Sequence, residues 1–118
     1  MKKILVLGAG AMGSAFTVPC LDNGNTVSLI GTHLEDKFID QLIQNDNFHP
    51  VLNCKLSSKL KLRKFEKFAE EFKEKPNLII LGVNSKGITW AGKEISKYNL
   101  EDGINDYITS LKILSSCI

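Results

Sequence analysis

The chain has 118 residues, the length of one domain, and its 15 basic and 13 acidic side chains leave a formal net charge of +2. Its 43% hydrophobic and 24% charged content is typical of a globular domain and excludes a disordered tract, and no apolar run reaches the about 20 residues of a membrane span. This small net charge argues against a nucleic-acid partner. The three cysteines lack metal-ligand spacing, which argues against a metal site and against disulfides. Such cysteine usage favours a cytoplasmic location.

The first half of the chain predicts two strand–helix units. The apolar run at residues 4–7 is typical of a parallel strand buried on both faces, and a helix is expected over residues 11–22. The β-branched segment at residues 26–30 predicts a second strand. Thr32 and Glu35 then have the spacing of a capping box ahead of an amphipathic helix.

The second half continues the alternation after a polar loop at residues 45–50. The period of two over residues 52–62 indicates an extended segment or short strand, and the phenylalanines of residues 65–72 have helical spacing. Residues 78–83 predict another buried strand, and Ser85 is expected to cap the helix that follows.

The last predicted element is one more strand within residues 107–118. Strands alternating with helices imply parallel pairing through right-handed crossovers, so the sequence predicts an α/β fold with a Rossmann-like, doubly wound parallel sheet. We expect residues 1–118 to form one NAD(P)-binding domain, with its ligand at the carboxyl ends of the strands.

The segment ILVLGAGAMGSAF contains Gly8, Gly10 and Gly13 in the spacing G-x-G-x-x-G between the first strand and helix. Gly8 permits a tight turn, Gly10 lets a pyrophosphate approach the backbone, and Gly13 lets the helix pack closely on the strand. The helix N-terminus adds partial positive charge. This context favours dinucleotide binding over a glycine-rich turn without a ligand.

The end of the second strand carries no carboxylate where NAD selectivity would place one. Glu35 comes two or three residues late and is better explained by the capping box. Thr32 could donate to a ribose hydroxyl or to a 2′-phosphate, so NAD and NADP both stay open.

Four other side chains are candidates for chemistry, each with a plainer interpretation. His33 and His49 could act as general acids, but a helix-flanking role and a loop position fixed by Pro50 are favoured. Trp90 is expected to pack on its helix, and Cys20 is expected to be buried in the first helix.

With these residues, the chain resembles the N-terminal domain of the soluble NAD(P)-dependent glycerol-3-phosphate dehydrogenases. The resemblance covers about residues 1–94 and depends on VLGAGAMGSAF, DNGNTVSLIGTHLED, NDNFHPVL and LIILGVNSKGI in that order. The first piece is shared with many dehydrogenases, including ketopantoate reductases, whereas the His-Pro piece and the VNS are more specific. The family commonly has Val-Pro-Ser where this chain has Val83, Asn84 and Ser85.

The resemblance implies a set of cofactor-binding residues for NAD or NADP. They form the glycine loop, the turn after the second strand and the start of the last helix: Gly8, Ala9, Gly10, Ala11, Met12, Gly13, Thr32, Asn84, Ser85 and Ile88. It also implies a possible homodimer and interconversion of dihydroxyacetone phosphate and sn-glycerol 3-phosphate by hydride transfer.

The same resemblance places the family's active-site lysines in a Lys-Gly segment and in a separate helical C-terminal domain. Lys112 is a weak candidate for the first, since Ile113 replaces the glycine, and residues 107–118 are atypical of the family. We expect these 118 residues to lack the helical domain and to be an incomplete enzyme, whose small phosphorylated substrate would need that domain. The alternatives are a non-catalytic NAD(P)-binding or interaction module, as a truncated remnant, and a ketopantoate-type 2-ketoacid reductase.

Overall fold

The computed structural model describes residues 2–97 and the backbone of residues 112–115. Seven strands and four α-helices occur in this part of the chain, together with a 3-10 turn at Phe65–Lys67. In chain order they are β1 (Lys3–Leu7), α1 (Ala11–Asp22), β2 (Thr26–Ile30), α2 (Asp36–Gln44), β3 (Phe48–His49), β4 (Cys54–Lys55), β5 (Lys61–Arg63), α3 (Phe68–Lys73), β6 (Leu78–Leu81), α4 (Ser85–Ser96) and β7 (Lys112–Ser115).

The main sheet has the strand order β5-β2-β1-β6-β7, and its strand pairs are all parallel. Leu7 at the end of β1 pairs with Ile30 of β2 on one side and with Leu81 of β6 on the other. The carboxyl ends of these three strands are therefore level, and the segments that follow them meet at one edge. The predicted parallel α/β fold is confirmed.

Strand β1 is buried on both faces because helices cover each side of the sheet. Ile4 and Val6 pack with residues of α2 and β5, whereas Leu5 and Leu7 pack with Phe68 and other residues of α3 and α4. A continuous apolar run is what such a central parallel strand requires. None of the helices in the described ranges is long and apolar enough to cross a bilayer.

Two boundaries differ from the sequence-based expectation. The predicted loop at residues 45–50 contains β3, which pairs antiparallel with β4, so that His49 lies opposite Cys54 in a short hairpin. Strand β6 ends at Leu81, two residues early. The predicted last strand is present as β7, and the other residues of 107–118 lie outside the described part of the chain.

The helix caps also differ. Asn84, rather than Ser85, caps α4: its backbone is extended and its side-chain oxygen accepts a hydrogen bond from Gly87 N at 2.8 Å. Only half of the predicted capping box forms. Glu35 accepts from Thr32 N at 2.9 Å, while the Thr32 hydroxyl faces Leu34 N at 3.4 Å.

A buried carboxylate of α3 contacts three adjacent strands of the main sheet, β5, β2 and β1. Glu71 of α3 is 5% exposed and accepts hydrogen bonds from Arg63 Nε and Ser28 Oγ, both at 3.3 Å, and lies 2.9 Å from Lys3 Nζ. Burial opposes the charge on Lys3, but hydrogen bonds to Glu74 and Glu71 outweigh it and raise the pKa of the ammonium above its ordinary 10.5. The carboxylate is thus balanced by two cations from β1 and β5.

We expect Glu71→Gln to lower the free energy of unfolding by about 2 kcal/mol, because the neutral amide leaves Lys3 and Arg63 without a buried counter-charge. Urea denaturation measures the change. Because the folded-state pKa of Lys3 is raised, its contribution is complete below pH 10.5 and is lost as the pH rises through the folded-state value. An unchanged urea midpoint in Glu71→Gln would contradict this role.

Candidate functional site

The glycine loop between β1 and α1 begins with a backbone conformation that favours glycine. Gly8 has a φ of +113° and donates its N–H to Ile30 O of β2 at 2.8 Å. The loop is therefore fixed to the second strand at its first residue.

Three glycines pack against one another where α1 crosses the end of β6. A Cβ at Gly13 would lie 2.2 Å from Gly8 O, and one at Gly8 would lie 2.3 Å from Gly82 O. A Cβ at Gly82 would lie 2.6 Å from Gly13 Cα. The close approach expected of Gly13 thus needs Gly82 as well, which the sequence analysis missed although a glycine directly follows the apolar run LIIL.

Gly10 has a different environment from these three glycines. It is exposed, its φ is −65°, and a Cβ built on it meets no heavy atom within 4 Å. Neither packing nor backbone strain within the protein requires a glycine here. The open space beside Gly10 is part of the cleft described below.

Ala9 lies between Gly8 and Gly10 and has both polar backbone atoms bonded inside the protein. Its N–H donates to Glu35 Oε1 at 3.1 Å. Its carbonyl oxygen accepts from Ser14 Oγ and lies 3.0 Å from His49 Nε2. Ala9 therefore offers no free backbone group to the cleft.

The cleft has a volume of about 650 Å³ and lies at the carboxyl edge of the sheet. The glycine loop, the turn after β2 and the start of α4 enclose it. Its lining residues are Gly10, Thr32, His33, Leu34, Glu35, Gly82, Val83, Asn84, Lys86, Gly87 and Trp90. Strands β2 and β6 pair with opposite sides of β1, so the strand order reverses direction at β1. Open parallel sheets bind ligands at the carboxyl edge of such a switch point.

An aromatic cluster forms part of the cleft wall. The ring of His33 lies 4.5 Å from that of Trp90 between centroids, and Phe65 lies 4.8 Å from Trp90. His33 does precede α2, as expected, and Trp90 does pack beside its helix. Their contact with each other was not predicted, because they are far apart in sequence and no local pattern relates them.

The two charged side chains in the lining have opposite signs. Glu35 uses Oε1 to accept from both Ala9 N and Thr32 N, so this carboxylate is held between the glycine loop and the turn after β2. Lys86, in the first turn of α4, is exposed. Two backbone donors fix the Glu35 carboxylate, and Lys86 is the lysine that the lining offers to an anion.

His49 is completely buried, not a loop residue at the surface. Leu52 N–H donates to its Nδ1 at 3.2 Å, so Nε2 must carry the ring proton and donate to Ala9 O at 3.0 Å. Cys20 is partly buried against the core, and burial raises the pKa of its thiol, which disfavours the nucleophilic thiolate.

The structure brings most of the sequence-predicted cofactor residues to this edge. Gly10, Thr32 and Asn84 line the cleft. Ala11 and Met12 begin α1 and Ser85 begins α4, while Gly8 and Gly13 are buried in the packing below. Ile88 lies half-buried on α4, outside the lining residues.

Lys112 is not brought to the cleft. It begins β7 and pairs with Leu78, the first residue of β6, whereas the cleft lies beyond Leu81 at the other end of that strand. Three residues of parallel strand separate the two ends by about 10 Å. Its backbone therefore lies at the amino edge of the sheet.

Comparison with known proteins identifies a relative among the glycerol-3-phosphate dehydrogenases. The NADP(+)-dependent glycerol-3-phosphate dehydrogenase of Archaeoglobus fulgidus is 37% identical over 89 residues, which cover 72% of this chain and 24% of that protein. The resemblance to glycerol-3-phosphate dehydrogenase is confirmed. The chain spans about a quarter of the length of this curated relative. No protein-family model matches the chain.

Two solved structures share the fold. Glycerol-3-phosphate dehydrogenase from Coxiella burnetii matches with a TM-score of 0.67 and 22% identity, over 98% of this chain and 32% of that chain. The 2-dehydropantoate 2-reductase from Methylococcus capsulatus matches with a TM-score of 0.57 and 15% identity, over 98% of this chain and 40% of that chain. At these identities the likeness establishes the architecture alone.

The two kinds of glycine environment predict losses of stability of different size. We expect Gly13→Ala to lower the free energy of unfolding by about 3 kcal/mol, because the new methyl group would collide with Gly8 O. Gly10→Ala should cost at most about 1 kcal/mol, the difference between glycine and alanine at a helix N-cap. Thermal unfolding compares them, and equal losses would contradict this distinction.

Proposed function

We propose that the cleft binds NAD or NADP and that this chain supplies the dinucleotide-binding part of a glycerol-3-phosphate dehydrogenase. The observation that carries the proposal is the contrast among the loop glycines. Close backbone packing explains the need for glycine at three positions, Gly8, Gly13 and Gly82. Gly10 instead borders open space, where a ligand can reach the backbone. A loop that served only as a turn would not need a glycine at that position.

The start of α1 supplies the attraction for a pyrophosphate. The first N–H groups of a helix, here those of Ala11, Met12 and Gly13, have no acceptor within the helix. The helix dipole adds partial positive charge at the same end, and the first turn contains no acidic residue to oppose it. An anionic diphosphate is the ligand that this end of the helix favours.

The turn after β2 and the face of α4 that carries Lys86 and Trp90, four residues apart, would enclose the adenosine half. Thr32 can donate to a ribose hydroxyl or to a 2′-phosphate, and Trp90 and His33 offer ring faces beside it. Asn84 at the N-cap of α4 borders the cleft from the β6 side, where the resemblance places the nicotinamide half. Bound nicotinamide would supply the hydride, and these residues would hold and orient the cofactor.

Of the two cofactors we favour NADP. The relative from Archaeoglobus fulgidus is NADP(+)-dependent by name, and Lys86 adds a cation to the lining.

We expect Lys86→Gln to weaken NADP binding about fivefold and NAD binding less than about twofold, because the 2′-phosphate is present in NADP alone. Calorimetric titration of both cofactors measures the ratio. Lys93→Gln, an exposed change later on the same helix, is the matched control and should alter neither affinity. Equal weakening of NAD and NADP by Lys86→Gln would contradict a 2′-phosphate contact.

The central test of the proposal is cofactor binding itself. Trp90 is the single tryptophan of the chain and lines the cleft, so its fluorescence should change when NADH or NADPH is titrated into the wild-type protein. Gly10→Ala should weaken the binding at least tenfold while it leaves the fold intact. A wild-type protein that binds neither cofactor would sink the proposal in favour of a structural or interaction module.

The reaction proposed for the complete enzyme is interconversion of dihydroxyacetone phosphate and sn-glycerol 3-phosphate. We expect the 118-residue protein alone to bind cofactor without oxidising glycerol 3-phosphate. The resemblance places the active-site lysines in a Lys-Gly segment and a helical domain, and the backbone of Lys112, the candidate for the first, lies at the opposite edge of the sheet from the cleft. An absorbance assay of NADPH formation measures this, and turnover by the purified chain would contradict it.

Reduction of ketopantoate by a longer version would instead support the 2-ketoacid reductase alternative. A cytoplasmic location and a homodimer are further parts of the proposal.

A further inference from the structure

His49 contacts the glycine loop from the hairpin of β3 and β4, which lies outside the main sheet. The side chain is completely buried, and Phe38 of α2 packs edge-on against its ring at 5.2 Å between centroids. The two ring nitrogens have opposite roles. Nδ1 accepts from Leu52 N–H within the hairpin segment, and Nε2–H donates to Ala9 O in the loop.

The carbonyl that His49 holds determines the direction of a backbone N–H in the cleft. Ala9 C=O and Gly10 N–H belong to one planar peptide unit, which is trans in this structure, so the two groups point in opposite directions. His49 and Ser14 draw Ala9 O into the protein. Gly10 N–H must therefore point away from them, on the side where Gly10 borders the cleft.

The preceding peptide is fixed as well, so the loop has little freedom to turn. Gly8 N–H donates to Ile30 O, and Ala9 N–H donates to Glu35 Oε1. With the N–H of the Leu7–Gly8 peptide and the N–H of the Gly8–Ala9 peptide both bonded, the orientation of the next peptide depends on the donors to Ala9 O. Ser14 supplies one from inside α1, and His49 supplies the other from the hairpin.

We propose that His49 is a positioning residue for the cofactor: it holds the Ala9–Gly10 peptide in the orientation that presents Gly10 N–H to the bound pyrophosphate. This inference rests on the proposed dinucleotide-binding function and adds a residue that does not itself line the cleft. A neutral imidazole suits the position because it donates at one nitrogen and accepts at the other across a rigid ring.

Two substitutions separate this role from a purely structural one. Gln can place its amide nitrogen near the position of Nε2, so His49→Gln keeps a donor to Ala9 O. Asn can place its oxygen near the position of Nδ1, so His49→Asn keeps the acceptor for Leu52 N–H and loses the donor to the loop. Each variant removes one of the two hydrogen bonds of the buried ring.

The experiment measures the Kd of NADPH and NADH by calorimetry and the unfolding midpoint for the wild type and both variants. We expect comparable losses of stability, but a Kd about tenfold higher for His49→Asn and within about threefold of the wild type for His49→Gln. The amide resonance of Gly10 in the ligand-free protein should shift in His49→Asn and stay near its wild-type position in His49→Gln.

The outcomes are distinct. Equal Kd values for the two variants, or losses of affinity that follow the losses of stability, overturn the positioning role. A wild-type protein that binds neither cofactor refutes the proposed function instead, while the Gly10 resonance still reports on the loop. Should His49→Asn fail to fold, Ser14→Ala in the wild-type protein removes the other donor to Ala9 O and leaves His49 in place. A Kd within about threefold of the wild type then supports the role of His49, whereas a rise of about tenfold assigns the positioning to Ser14 and overturns the inference.

Discussion

The close packing of α1 on the end of β6 is the constraint on which the rest of the site depends. Gly8, Gly13 and Gly82 bring backbone against backbone, with no room for a Cβ at any of the three positions. Because the helix starts so close to the sheet, its first turn lies directly above the carboxyl ends of β1 and β6. The open end of that helix, the turn after β2 and the start of α4 can then enclose a single cleft.

A second constraint comes from the polar groups that this packing buries. The loop cannot leave the backbone of Ala9 unpaired in a buried position, since a lost hydrogen bond there costs about 1–3 kcal/mol. Three elements supply the partners: α1 through Ser14, the turn after β2 through Glu35, and the hairpin through His49. The backbone groups without such partners are those of Gly10 and the first turn of α1, so buried hydrogen bonding and the proposed ligand binding use different parts of the loop.

Local patterns in the sequence were sufficient to predict the elements that form the floor of the site. The apolar run of β1, the helix α1 and the β-branched β2 each carry their signal within a few residues, and the bounds of α1 and β2 agree with those expected. The glycine spacing likewise predicted the loop that borders the cleft. These features follow from backbone geometry and burial, which adjacent residues largely determine.

What the sequence could not predict depends on contacts between distant residues. His49 resembled a loop histidine because it lies in the polar segment NDNFHP directly before Pro50, and only tertiary packing places its ring beneath Ala9. Glu35 has the spacing of a capping residue and fulfils half of that role, but its bond to Ala9 crosses between two loops. Asn84 caps α4 one residue earlier than expected because its backbone is extended and its amide oxygen reaches Gly87.

The hairpin that carries His49 has two residues in each strand and lies outside the main sheet. Under the proposed role of His49, a chain could keep all three motif glycines and lose the hairpin contact that holds the loop, so the glycine motif alone would be an incomplete criterion for a dinucleotide site.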